Sequence, residues 1–416
     1  MVVIRSILLR SPVAVGVILI LILEITSALG NTTPGFNLWA DRINGLTNTS
    51  ILAAVVAAGV SALEANRWQA SNRVRLRTAS RSHLRVRSYH AGAVLLPLAL
   101  AFWVAVAAVA AHAAFTGTYG APSMLWLVSL CCAIVLAGTI GYVVGSVLPH
   151  RWYVGPAAAL ALYAAYVLLL ASRAPYGIVS LFPASSNYDS VFTRKILATL
   201  GSQSIFFLSL SALLLLLLGL KTIPLLRNLF LAAPFVILVV ASGLTVITTN
   251  GQVTTGNNPR DFICVGERPT LCLNPGYAAA IDPLQSEYRR FADLTAGTPL
   301  APERLEQNVQ GIGDEPVAGS RSAYLEQWAA PDDLTFSVFR YVKKYGSASQ
   351  CSNAEGSYYG AEVDSWLSNF YESTDGSAAN AVSRALAEQT PEQGTAWFRA
   401  HYDSYASCSL TANDMP

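Results

Sequence analysis

Cys264 and Cys272 stand eight positions apart in DFICVGERPTLCLNP, residues 261–275, and Cys351 and Cys408 follow in the same C-terminal region. Thiols so placed can ligate a metal, cycle in redox chemistry or brace the chain as disulfides. Zinc prefers short Cys-x-x-Cys-type spacings with histidine nearby. CVGERPTLC puts seven residues between its cysteines, and the region holds one histidine, His401. In an oxidising compartment such thiols pair. Four cysteines allow three connectivities. A local Cys264–Cys272 loop and a Cys351–Cys408 staple are preferred, and no metal is expected. Cys131 and Cys132 lie inside an apolar run and read as small buried side chains.

Glu24 is the only acid near the interior of an apolar run. An ionisable group at such depth marks an ion or proton path by default. The plainer reading, preferred here, sets it near enough to the outer interface to reach water. Catalytic motifs are missing: no HExxH, GxSxG or SxxK occurs, and no GxxxxGK[ST] to cradle nucleotide phosphates. His83, His90 and His150 fall at the ends of apolar runs, and His112 inside one. Asp332, Asp333 and Asp364 read as a solvated face. The Asn31 and Asn48 sequons read as accidental. No catalytic residue and no cofactor are expected, and an enzyme is the least favoured function.

The strongest charge signal is RWQASNRVRLRTASRSHLRVRSYH, residues 67–90, with seven arginines and no acid. It can touch lipid headgroups, bind nucleic acid or dock a cytosolic partner. Nucleic acid is disfavoured, because aromatic interleaving and a folded scaffold are missing.

These residues need elements to hold them. The chain has 416 residues, 53% hydrophobic and 12% charged, where soluble proteins carry about 25% charge. Only Glu24, Asp41, Glu64 and Asp189 are acidic before residue 250, against 16 basic residues; beyond it stand 21 acids and 11 bases. Such asymmetry marks two environments, here a membrane domain, 1–250, and a second domain, 251–416. A spanning helix needs about 20 apolar residues. Seven runs qualify: 12–30, 49–65, 92–115, 123–148, 153–172, 204–220 and 228–248, the second being the shortest. The first, read as a signal peptide, would be cleaved; its length and Glu24 favour a retained span. Basic loops stay in the cytoplasm. That rule puts the N-terminus, 67–90, 150–152 and 220–227 inside, and loops 31–48, 116–122 and 173–203 outside, with everything past 249 exported. Arg173, Arg194 and Lys195 in 173–203 run against it.

In the exported part, 249–263 reads as a polar linker. Apolar periodicity predicts helices at 278–294, 336–345, 361–372 and 390–406. Gly346 would stop the second. Thr390, Pro391 and Gln393 form a helix-start signature for the fourth. The aromatic stripes Tyr288/Phe291, Trp366/Phe370 and Trp397/Phe398/Tyr402/Tyr405 read as core. The fold class is therefore a polytopic α-helical membrane protein of about seven spans with a mainly helical, disulfide-braced extracytoplasmic C-terminal domain.

EANRWQASNRVRLRTASRSHLRVRSYHAGAV resembles the first cytoplasmic loop of export-type ABC transporter permeases of actinobacteria, with Glu64, Arg67, Trp68, Arg73, Arg81 and Arg85 in comparable places. CVGERPTLCLNPGYAAAI is similar to a cysteine pattern in actinobacterial membrane proteins of this layout. The resemblance covers about residues 1–290; the seventh span and the large exported domain depart from the six-span plan. It implies a membrane subunit of an exporter in the bacterial plasma membrane. That subunit would couple to a separate ATP-binding cassette subunit through Glu64, Arg67, Trp68, Arg73, Arg75 and Arg77, with Arg81 and Arg85 in the same loop. Two copies, or a second permease, would complete it. The alternative is a membrane-anchored receptor or assembly protein whose exported domain binds a ligand or partner.

Overall fold

Glycine and alanine decide where the long helices touch. A computed structural model describes residues 12–32, 36–78, 83–148, 152–182, 189, 193–219, 225–256, 262–308, 320–324, 335–346, 351–368 and 381–416. The chain divides into two compact units, one ending at Asn258 and the other running from Pro259, with Thr33–Phe36 grouped in the second.

In the first unit the long helices are α1 (Pro12–Gly30), α2 (Trp39–Thr78), α3 (His83–Phe115), α4 (Met124–Val147), α5 (Val154–Ala171), α7 (Leu197–Gly219) and α8 (Leu225–Thr248), with a single turn, α6 (Tyr176–Val179), between α5 and α7. Among the described residues, seven helices are long and apolar enough to cross a bilayer. Helices in lipid gain little from burying leucine, so they associate where small residues let backbones approach. Gly141 and Gly145 of α4 lie directly on the backbone of Ala58 and Ala62 of α2, where a Cβ would overlap a carbonyl oxygen. A Cβ on Gly155 of α5 would stand 2.9 Å from the Gly59 carbonyl, and one on Gly45 2.5 Å from that of Ser27. The middle helix α2 therefore packs closely on α1, α4 and α5. Large apolar side chains face outward instead, among them Ile18, Leu160, Leu168, Ile237 and Val240. Cys131 and Cys132 are buried and unbridged.

Helix α2 corrects the sequence reading. Residues 49–65 are the shortest expected span and 31–48 are expected as an outer loop, yet the helix starts at Trp39. Its first turns carry Asp41, Arg42, Asn44 and Thr47, all buried. Hydropathy scores these residues as loop, but several of their polar groups find partners within the bundle, although Arg42 Nε and Nη1 have none among the described residues. Thr47 donates to the Ile43 carbonyl at 2.8 Å, and Asn44 binds the backbone of Asp189. Segment 173–203 likewise contains α6 and a strand, β1 (Thr193–Lys195), antiparallel to β2 (Thr254–Gly256) in the presumed linker.

The second unit is not purely helical. Four short strands, β3 (Ile263–Val265), β4 (Thr270–Leu273), β5 (Arg304–Asn308) and β6 (Arg321–Tyr324), form a sheet in that order, antiparallel between β3 and β4 and parallel thereafter. Strands of three to five residues give too brief an alternation to be read from sequence. The helices are α9 (Ile281–Leu294), α10 (Thr335–Tyr345), α11 (Ala354–Ser368), α12 (Ala381–Ala387) and α13 (Pro391–Ala406). Thr390 and Gln393 cap α13 reciprocally. Leu284, Tyr288, Phe291, Tyr341 and Phe398 are buried, and Phe291 and Tyr341 meet edge-on at 5.4 Å. Trp366 and Tyr405 are buried too, whereas Trp397 and Tyr402 are half-buried and Phe370 lies outside the described residues.

Candidate functional site

Residues 61–78, SALEANRWQASNRVRLRT, contain no glycine or proline and are rich in good helix formers, so nothing stops α2 at the end of its apolar stretch. The span-like part closes at Gln69 and the helix continues to Thr78, roughly 13.5 Å further at the α-helical rise. Helix α3 begins at His83. The basic segment is thus mostly helix, and 79–82, including Arg81, lie outside the described residues.

The base of this extension is tied to three other helices. Asn66 donates to the carbonyls of Gly145 and Leu148, each at 3.2 Å, and Gln69 donates to that of Ser146. These bonds satisfy carbonyls that the end of α4 leaves open. The Trp68 ring stacks on His90 of α3, with centroids 4.5 Å apart and planes 20° from parallel. His90 Nδ1 stands 3.0 Å from the Tyr142 hydroxyl, which donates to the Arg87 carbonyl at 3.4 Å. Arg87 in turn donates to the Leu218 carbonyl at 2.8 Å, at the end of α7.

Of the predicted coupling residues, Glu64, Arg67 and Trp68 fall at this junction. Trp68 is an anchor packed into it, Glu64 is half-buried and Arg67 is exposed. Arg73, Arg75 and Arg77 are helical positions in the extension of α2, and Arg85 is in the first turn of α3. Asn66, Gln69 and Tyr142 escaped the sequence reading, and His90 was noted only as lying at the end of an apolar run; the position of Asn66 and Gln69 beside the arginines was the one hint at this junction.

Glu24 is fully buried and does not reach water. Thr49 of α2 donates to its Oε2 at 3.1 Å, and its Oε1 has no partner among the described residues. The same α1–α2 seam carries Ser27 donating to the Gly45 carbonyl at 2.8 Å and Asn31 to that of Asp41 at 3.0 Å.

A third polar group joins Asn44 to Asp189 by two reciprocal bonds, 2.9 and 2.6 Å, and Asp189 pairs with Lys195. Burial lowers the Lys195 ammonium to about 8, and it lies 5.6 Å from the Trp126 ring centroid. The sequence treated Lys195 as a breach of the charge rule; it is the counter-ion of a buried acid.

In the second unit Cys264 and Cys272 are opposed on β3 and β4 and disulfide-bonded, with Cα atoms 4.0 Å apart. Cys351 and Cys408 are disulfide-bonded with Cα atoms 5.5 Å apart, joining the approach to α11 with the end of α13. Asp364 is buried, contrary to its reading as solvated, while Asp332 and Asp333 lie outside the described residues. A pocket of about 470 Å³ opens between α9, α11 and α13, with Trp366 and Leu386 as apolar wall and Arg289, Asp293 and Gln389 among its polar lining. Among the described residues no group of three or more His, Cys, Asp or Glu could hold a metal ion.

No family model matches the chain, and neither a curated protein nor a solved structure matches it. The functional reading therefore rests on the residues themselves and on the layout of the basic segment.

Proposed function

We propose that the chain is the membrane-spanning subunit of an ABC-type export system, coupled through residues 67–90 to a separate ATPase. The observation that carries this reading is the continuity of α2. One unbroken helix, Trp39–Thr78, holds both the central packing seam and Arg73, Arg75 and Arg77. A push on its basic end moves a rigid lever whose other end lies against α1, α4 and α5. Interfacial charge of this density would speed encounter and set register with an acidic partner surface. In this reading seven crossings place the N-terminus in the cytoplasm and the second unit outside. The two disulfides support that side, since thiols persist in the cytosol and pair beyond it. The direct test is a photo-crosslinking amino acid at Arg77 in cells. A cross-linked product containing an ATP-binding cassette protein supports coupling; cross-links to lipid alone refute it.

A receptor or assembly role has its own supporting observation, the pocket by Trp366. Its volume lies within the range of small-molecule sites, about 300–1,000 Å³. It predicts a ligand that binds the full chain in the absence of any ATPase, and that Trp366→Ala weakens that binding. If the coupling cross-link fails and such binding is found, the receptor reading replaces the exporter.

A further inference from the structure

We propose that Glu24, with Ser27, Gly45 and Thr49, forms a buried site for a small exchangeable cation, proton or sodium, between α1 and α2. The reasoning starts from charge. An ionised carboxylate taken out of water without a partner costs many kcal/mol, so it acquires a counter-charge or a proton. Glu24 is fully enclosed, on the same buried stripe as Ile20 and Ala28. Thr49 is its sole hydrogen-bond partner among the described residues, and one carboxyl oxygen has none.

Among the described residues no protein cation pairs with Glu24. The charged and titratable side chains described on the helices packed against α1 are Asp41, Arg42, Glu64 and Arg67 on α2, and Arg87, Tyr89, His90 and His112 on α3; none of them pairs with Glu24. Arg42, also fully buried, donates to Thr116 at 3.2 Å instead. With no counter-charge among the described side chains, a proton or cation taken from solution is the neutralising charge the proposal assigns.

The donors suit a hard cation. Glu24 Oε2, Thr49 Oγ1, the Gly45 carbonyl and Ser27 Oγ form a linked run of oxygens with contacts of 3.1, 3.1 and 2.8 Å. Gly45 allows it, because its missing Cβ lets the α1 backbone come against α2. Oxygen-only sites favour protons and hard metal cations over soft ones. The site is independent of the basic segment, so it stands or falls separately from the coupling proposal.

The test is labelling of the purified full chain in detergent with a hydrophobic fluorescent carbodiimide. The reagent takes the proton of a neutral carboxyl onto its own nitrogen while the carboxyl oxygen adds to its central carbon. The O-acylisourea then rearranges to a stable N-acylurea, found by peptide mass spectrometry. Labelling of Glu24 that slows several-fold with rising pH, and is unaffected by sodium, assigns a proton site. Labelling that sodium also slows at fixed pH assigns a sodium site. Glu24→Gln removes the label while the chain still elutes as folded protein, and Thr49→Val alters the rate. Glu24 that stays unlabelled in the folded chain but reacts once unfolded in dodecyl sulfate is a sealed structural acid, and the proposal fails. A rate indifferent to both pH and sodium overturns it as well.

Discussion

The hydroxyl of Tyr405 donates a 2.5 Å hydrogen bond to Asp364, linking α13 to α11 inside the second unit. Burial pushes the Asp364 carboxyl from its ordinary 3.8 up to about 7, with the Tyr405 hydroxyl and Lys343 holding it back. A raised carboxyl means that the folded state keeps a proton the unfolded state releases. Stability of this unit is therefore full below the ordinary value, falls as pH rises towards about 7, and is level above it. Denaturant melts of the full chain across that window should show the slope, and Asp364→Asn should flatten it.

Tyr405→Phe tests the same pair from the other side. It leaves a buried carboxyl without its donor, at a cost of about 1–3 kcal/mol. The pH-dependent loss should extend to higher pH than in the wild type. A melt profile that keeps its wild-type pH midpoint would show that the hydroxyl does not govern Asp364.

Cys351 and Cys408 close a loop of 57 residues. In the chain-entropy account such a bridge is worth about 4 kcal/mol, and the short Cys264–Cys272 loop about 2–3 kcal/mol. Cys351→Ala with Cys408→Ala should lower the melting temperature of the second unit more than the other pair of substitutions. Non-reducing peptide mapping should recover both bridges from the native protein.

Gly145→Val should prevent the α2–α4 seam from closing, because any Cβ there overlaps the Ala62 backbone. Gly92 has open space around it, so Gly92→Ala should be neutral or slightly stabilising. The measurement is the yield of monodisperse protein in detergent and its melting temperature. Equal behaviour of the two variants would contradict the seam.

Trp68→Ala removes the stack on His90, worth about 1 kcal/mol beyond the apolar area the ring buries, and should lower bundle stability by at least that much. It should also loosen the base of the basic extension, seen as faster hydrogen exchange at 66–78. Trp68→Phe should restore part of both.

How far the sequence could be read follows from which forces it records locally. Long apolar runs are a property of single segments, so the helices Pro12–Gly30 and Met124–Val147 were legible to within a few residues. The cap at Thr390 and the cysteine pairs were legible for the same reason, each being set by a few residue types. Helix α2 was only half legible, because Asp41, Arg42 and Asn44 are made tolerable by partners far along the chain, such as Asp189. Asp364 was misread on the same ground: its donor, Tyr405, is 41 residues away. In the basic segment the arginines advertise themselves by charge. The groups that hold the segment in place, Asn66, Gln69, His90 and Tyr142, are ordinary residues whose roles exist only once α2, α3 and α4 meet.

The central claim is that the basic end of α2 engages an ATPase. The most direct measurement is ATP hydrolysis by the full chain affinity-purified from its own host membranes, wild type against Arg73→Glu, Arg75→Glu and Arg77→Glu combined. The wild-type eluate should hydrolyse ATP through a co-purifying cassette protein, and the triple variant should lose that activity while remaining folded. A wild-type eluate without ATPase activity, or a variant that retains it in full, would contradict the account.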